Sequence, residues 1–307
     1  MRDLDRFRGC LLGLATGDAV GTTVEFRRRG TFPRVTDMIG GGPFRLEPGE
    51  WTDDTSMALC LAESLVEVGG FDPRDQMERY LRWRQEGYWS SNGRCFDIGN
   101  TVRDALHRYV DTRDPYAGST HPMSAGNGCI MRLAPVPMFY AADEGVARSF
   151  AAASSRTTHG AIECLDACTL LAGVLCRALR GEDKASVLLG DADTFGGSRR
   201  LVSMARGDYR TASEHDIRGT GYVVDCLEAA LWCFDRGADF EEAILLAANL
   251  GDDADTTAAV CGQIAGAFHG ERGIPAAWLA KLARRDEIAG LADALHAGPS
   301  SIAASPS

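Results

Sequence analysis

The sequence predicts an all-α fold, on three observations. Apolar residues recur at helical spacing, as in Met57, Leu61, Leu65 and Val68 or in Leu227, Leu231 and Phe234. No run of β-branched residues alternates with polar ones over strand length between turn signals. Gly9, Gly13, Gly17 and Gly21 recur at every fourth position, which is one face of a helix.

The first helix spans 4–19. Glycine inside a helix costs about 1 kcal/mol relative to alanine, so a stripe of them needs a reason. A second small-residue stripe, Ala258, Ala259, Gly262 and Gly266, lies near the C-terminus. Together they predict two helices crossing closely in the core; the alternative is that Gly17 and Gly21 already belong to a loop. Residues 22–50 form a long connection through Gly40-Gly41-Gly42-Pro43, and connections of this length are usually functional or disordered. It carries Glu25, which stands either over a site or in solvent beside Arg27, Arg28 and Arg29. The helix containing Met57 follows, then a polar amphipathic helix over 74–86 with Tyr80, Leu81 and Trp83. Residues 88–99 read as a loop, with Asn92-Gly93 as a turn signal, ahead of a helix over 100–110. Spacing alone makes Asp97 a cap of that helix. Ser124–Asn127 is a turn before an apolar run over 130–140. A helical start to that run would present N–H groups suited to a pyrophosphate. Helices are expected at 143–154 and 161–180, with His159 between them, and 181–209 reads as polar and irregular. Further helices are expected at 223–234, 240–250, 258–268, 275–282 and 286–296. The small, polar segment 298–307 reads as a disordered tail.

The net charge of −11 argues against nonspecific binding to nucleic acid or to an anionic membrane, since both need a basic face. A local basic pocket remains compatible with it. The ten cysteines include no Cys-x-x-Cys, and several fall within apolar helical patterns, as buried free thiols do. No signal-peptide core and no membrane-length apolar run occurs, so a cytoplasmic, reducing setting is expected.

Two stretches carry the chemistry. Gly49-Glu50-Trp51-Thr52-Asp53-Asp54-Thr55 opens one predicted helix, and Gly251-Asp252-Asp253-Ala254-Asp255-Thr256-Thr257 opens another nearly two hundred residues later. Either alone reads as ordinary capping, with Asp and Thr accepting orphan N–H groups. Together they suggest one site assembled in space, and so one domain over 1–297. Asp53, Asp54, Asp253 and Asp255 carry charge enough to balance two divalent ions, and hard cations take such oxygen ligands.

In order, Gly17-Asp18-Ala19-Val20-Gly21 with Glu25, Glu50-Trp51-Thr52-Asp53-Asp54-Thr55, Phe96-Asp97-Ile98-Gly99-Asn100-Thr101, Gly126-Asn127-Gly128, Thr158-His159-Gly160, Gly219-Thr220-Gly221-Tyr222-Val223-Val224 and Gly251–Thr257 resemble the ADP-ribosylglycohydrolase family. The resemblance covers about residues 5–270 and includes the type that acts on dinitrogenase reductase. It implies a compact orthogonal helix bundle and a binuclear Mg2+ or Mn2+ centre held by Thr52, Asp53, Asp54, Asp253, Asp255 and Thr256. It implies Asp97 and Glu25 as catalytic carboxylates. It places Gly99, Asn100, Ser124, Gly126, Asn127, Gly128, His159, Gly221 and Tyr222 against ADP-ribose, with Tyr222 stacking on the adenine.

The expected activity is metal-dependent hydrolysis that releases ADP-ribose from a modified protein side chain or small molecule, by a monomer. The Phe96–Asn100 block resembles the arginine-specific branch. Two alternatives stand beside it: a two-metal pyrophosphate or phosphoester hydrolase acting on ADP-ribose itself, and a non-catalytic ADP-ribose reader.

Overall fold

The computed structural model describes residues 3–298. Among the described residues there are fourteen α-helices and no β-strand, so the predicted class holds. In chain order they are α1 (Leu4–Gly21), α2 (Asp53–Val68), α3 (Pro73–Glu86), α4 (Asn100–Thr112), α5 (Pro135–Phe139), α6 (Glu144–Arg156) and α7 (Ile162–Leu179). They continue with α8 (Lys184–Leu189), α9 (Arg199–Ala205), α10 (Val223–Arg236), α11 (Phe240–Asn249), α12 (Ala254–His269), α13 (Ala276–Lys281) and α14 (Arg285–Ala297). No helix among the described residues is long and apolar enough to cross a membrane. All ten cysteines are free, and nine are buried.

The centre of the molecule is the crossing of α1 and α12. A Cβ added to Gly13 would strike the Gly262 carbonyl oxygen and come within 3.1 Å of Gly266 Cα. Gly9 faces the Gly266 carbonyl, Gly17 the Ala258 carbonyl and Gly21 the Ala254 carbonyl in the same way. The stripes therefore continue to the last turn of α1, and Gly17 and Gly21 are helical, not loop. Both helices are buried along almost their whole length. The crossing fixes the C-terminal end of α1 against the N-terminal end of α12, where the acids are.

Four expectations are corrected. The second acid helix starts at Ala254, not Ala258, so Asp255 and Thr256 lie in its first turn. Residues 181–209 hold α8 and α9; each is too short to show a clear apolar period, and α8 is set by Asp183 accepting from Ser186 N–H. Val68 is 47% exposed, because it is the last residue of α2 before left-handed Gly69 and lies past the packed part of the face. After the Gly126 turn comes a single 3-10 turn, Asn127–Cys129, and α5 begins only at Pro135, so no α-helix mouth stands there. The predicted tail lies outside the described residues, Gly298 excepted.

The long connection after α1 has no regular helix beyond the 3-10 turn Thr22–Val24, yet it is tied down. Phe26 N–H donates to the Asp252 carbonyl (2.7 Å), and Asp252 N–H donates to the Arg27 carbonyl (2.7 Å). Asn249 bonds both backbone groups of Val35 at 2.9 Å. The segment carrying Glu25 is thus stitched to the one carrying Asp253.

Candidate functional site

Thr52 and Asp253 are the N-caps of α2 and α12, but their side chains make no capping bond. The contrast within the molecule is direct: Asp3, Asp72, Asp143, Asp183 and Asp239 cap α1, α3, α6, α8 and α11 by accepting backbone N–H groups. Local helix stabilisation accounts for those five and not for the two clusters. Asp97 is not a cap either, since Gly99 holds that position in α4.

The two clusters meet in one cavity of about 490 Å3. Glu25, Asp53, Asp54, Asp97, Asp253 and Asp255 all line it, and among its lining residues there is no Lys or Arg. Glu25 is only 3% exposed, so it is a site acid and not a solvated loop residue. Thr256 Oγ1 bridges toward the first cluster, 3.4 Å from Asp54 Oδ2. One carboxylate oxygen from each of Glu25, Asp97 and Asp255 lies within 4.8 Å of the other two, close enough to share one cation. The acids that the sequence divides into catalytic and metal-binding are therefore neighbours in space.

The buried acids hold their protons unusually tightly. Burial, and then the neighbouring carboxylates, push Glu25 up to about 10 and Asp97 up to about 8. Asp53, Asp54, Asp253 and Asp255 are raised as well, burial being the largest cause in each. Asp54 Oδ1, Asp255 Oδ1 and Glu25 Oε2 are buried without a hydrogen-bond partner. Buried lone pairs left unmatched are costly, and clustered oxygens of this kind suit a hard divalent cation. The donor set fits such an ion.

Asp18 was given no role by the sequence, although it falls on the buried face of α1. It is fully buried, and its carboxylate accepts from Thr52 N–H (3.0 Å), Thr52 Oγ1 (2.9 Å), Thr55 N–H (3.1 Å) and Thr55 Oγ1 (2.6 Å). It takes the capping duty that Thr52 does not perform and holds the first turn of α2, leaving Asp53 and Asp54 free to face the cavity. An acid within a glycine stripe was the available signal. Thr52 itself is fully buried, with Oγ1 3.4 Å from Asp54 Oδ2.

The opposite wall is backbone and imidazole. Asn127 Nδ2 donates to Asp253 Oδ2 (2.8 Å), Asn127 N–H to the Gly221 carbonyl (3.0 Å), and Asp253 N–H to the Gly219 carbonyl (2.9 Å). Gly99, Asn100, Gly126, Asn127, Gly128, His159 and Gly221 line the same cavity. Ser124 and Tyr222 line a second cavity of about 510 Å3, which shares Thr101, Gly126 and Gly221 with the first. The Ser124 hydroxyl bonds its own turn, donating to the His121 carbonyl (2.6 Å).

His159 is oriented from behind. Arg132, fully buried, donates through Nη2 to Thr158 Oγ1 (2.6 Å), and that oxygen lies 2.8 Å from His159 Nδ1. A guanidinium only donates, so Thr158 Oγ1 accepts from Arg132, and which partner carries the proton toward Nδ1 follows the ring's tautomer. Nε2 lies on the side of the ring facing Gly126 and Gly128. A Cβ on Gly128 would come within 2.8 Å of His159 Cε1, which is why a glycine stands there. Burial lowers His159 to about 4, so the ring is a neutral donor at pH 7. Neither Arg132 nor Thr158 was singled out from sequence for this; a charged residue inside an apolar run was the only hint.

The sequence model of the ADP-ribosylglycohydrolase family matches residues 1–302. The chain is 46% identical over 294 residues to the ADP-ribosylarginine hydrolase Tri1 of Serratia proteamaculans, covering 95% of this chain and 79% of that protein. It is 34% identical over 285 residues to the ADP-ribosyl-[dinitrogen reductase] glycohydrolase of Rhodospirillum rubrum, covering 91% and 90% of the two chains. A solved structure described as an ADP-ribosylglycohydrolase-related protein complex superposes with a TM-score of 0.87 at 48% identity, covering 97% of this chain and 99% of that one. With the acid clusters, their meeting in one cavity and the match over the whole length in hand, the chain belongs to the ADP-ribosylglycohydrolase family.

Proposed function

We propose that this protein is a metal-dependent ADP-ribosylarginine hydrolase. It cleaves the bond between the anomeric carbon of ADP-ribose and a guanidino nitrogen of a modified arginine, with water as co-substrate. The observation that carries this reading is a cavity of six carboxylates without a lining cation, in a chain 46% identical to a relative named for that activity.

Asp53, Asp54, Asp253, Asp255 and Thr256, with Thr52, would hold two divalent ions, Mg2+ or Mn2+. When bound, these supply positive charge for the vicinal ribose hydroxyls and make water a better nucleophile at neutral pH. The protein's own groups do the rest. Glycosidic cleavage develops oxocarbenium character and needs proton transfer at the leaving group and at water. Glu25 and Asp97 are the carboxyls for these transfers; burial raises both, which favours the protonated, donating form. The Gly126–Gly128 turn and His159 Nε2–H offer donors to the pyrophosphate, in place of a basic pocket. Gly99, Asn100 and Gly221 frame the ribose, and Ser124 and Tyr222 take the adenine end in the adjoining cavity.

Peptides carrying arginine-linked or serine-linked ADP-ribose, incubated with and without chelator, test this reading. The expected result is intact ADP-ribose from the arginine linkage, abolished by chelator. AMP with ribose phosphate would assign a pyrophosphate hydrolase instead, and binding without turnover in added Mg2+ would assign a reader.

A further inference from the structure

Three phenylalanines form a row that begins at the acid cavity. Phe26 lines the cavity next to Glu25, and its ring centroid lies 6.5 Å from that of Phe44. Phe44 lies 5.2 Å from Phe96, the residue before Asp97. The row starts beside one catalytic-site carboxylate and ends beside the other. Core packing does not account for Phe26, which is 67% exposed. Its φ of 61° lies in the left-handed region, where a bulky residue is a genuine outlier. The conformation is held by Phe26 N–H donating to the Asp252 carbonyl at 2.7 Å. The strained backbone keeps an exposed ring at the cavity that the acids line, and strain of this kind concentrates at functional sites.

A flat π face flanked by carboxylates suits a flat cation. A guanidinium stacks on aromatic rings and offers a planar fork of N–H groups to carboxylate oxygens. Resting on the arginine-linked reading above, we propose that Phe26, Phe44 and Phe96 form the acceptor subsite, seating the guanidinium of the modified arginine on the leaving-group side of the scissile bond. Arg94 shares the smaller cavity lined by Phe44 and Phe96. Its like charge disfavours that end, so the guanidinium sits on the exposed ring of Phe26, beside Glu25. A neutral, hydroxyl-linked acceptor gains nothing from the ring faces, so the row selects for the arginine linkage.

The test uses the full-length protein with Mg2+ or Mn2+ and an arginine-ADP-ribosylated peptide. Phe26→Leu keeps an apolar side chain and loses the π face; Phe26→Trp keeps the face. Phe26→Leu is expected to raise KM about three- to thirtyfold, the range a cation over an exposed to partly desolvated ring supplies. It should leave kcat within about twofold, the pattern of lost uniform binding. Phe26→Trp should restore KM, and Phe96→Leu should have a smaller effect than Phe26→Leu. Inhibition by free ADP-ribose, which has no acceptor, should be the same in every variant. The proposal is overturned if wild type cleaves the peptide and Phe26→Leu has an unchanged KM, if Phe26→Trp is as impaired as Phe26→Leu, or if ADP-ribose inhibition weakens in parallel. Failure of wild type to cleave the arginine linkage at all would instead overturn the proposed function, and the subsite with it. Because Phe26 is exposed, unchanged thermal unfolding of its variants is expected and separates an acceptor effect from misfolding.

Discussion

Thr158 joins a buried cation to a neutral histidine, and its substitutions separate orientation from simple contact. Thr158→Ser keeps the hydroxyl and should retain ADP-ribose affinity. Thr158→Val removes both the acceptor for Arg132 and the partner of His159 Nδ1, and should weaken affinity by about tenfold, near the worth of one hydrogen bond. Nitrogen chemical shifts of His159 check the mechanism: Nε2–H in wild type and Thr158→Ser, a changed or mixed tautomer in Thr158→Val. The two carboxyls make a second residue-scale prediction. Asp97→Asn keeps size but exchanges no proton, so kcat should fall about 10²–10⁴-fold. ADP-ribose affinity should change by less than about tenfold, since the proposed metals and Gly126–Gly128 wall would still hold the ligand. Normal turnover in Asp97→Asn together with loss in Glu25→Gln would move the role to Glu25. The meeting of the two repeated acid clusters in one cavity was legible from sequence. The roles of Asp18 and Thr158, though both fall in the quoted motif blocks, were not, because a buried hydrogen-bond partner has no spacing signature of its own.

At the scale of elements, the glycine stripes were legible because they break a rule: residues poor in helix propensity recur on one face of an otherwise helical pattern. The structure supplies the reason in the carbonyls of α12 lying where the Cβ atoms of α1 would be. Gly13→Leu and Gly262→Leu should each destabilise by at least about 1–3 kcal/mol in urea unfolding, because backbone and not a flexible side chain is in the way. Gly290 is the control. It is exposed in α14 with nothing near its Cβ position, so Gly290→Ala should be neutral or stabilising by up to about 1 kcal/mol. Equal melting of Gly13→Leu and wild type would refute the crossing. Long helices with a sustained period were readable to within a few residues, as α3, α7, α10 and α14 are. The elements missed, α8 and α9, have six and seven residues, too few for a period to emerge from charge- and glycine-rich surroundings. The start of α12 was placed late because Asp and Thr in a first turn resemble a loop by composition.

For the whole molecule, the crowded buried acids are a stability liability that a bound cation would relieve. Asp255→Ala should lose most Mg2+ or Mn2+ binding by calorimetric titration while helical circular dichroism is unchanged, since α12 is held by its crossing and not by its acids. The pH dependence follows from the raised carboxylates. Glu25 and Asp97 titrate near the ordinary value of about 4 in the unfolded chain, but near about 10 and about 8 in the fold. Between those limits the native state binds more protons than the unfolded state, so stability of the metal-free protein falls as pH rises. Buried His159 works the other way, because its folded value of about 4 lies below the ordinary 6.5. Its stabilisation is complete above that ordinary value and diminishes as pH falls through the window, which makes it one group against several. Thermal unfolding in chelator should therefore give a lower Tm at about pH 8.5 than at about pH 6.5. Added Mg2+ or Mn2+ should raise Tm more at the higher pH, because the ligands must be deprotonated to bind. Glu25→Gln removes one of the raised groups and should flatten the metal-free slope above neutrality. A metal-free Tm that climbs between those two pH values, or a metal-induced gain that shrinks with rising pH, would show that the acids are not the buried, mutually repelling set described here.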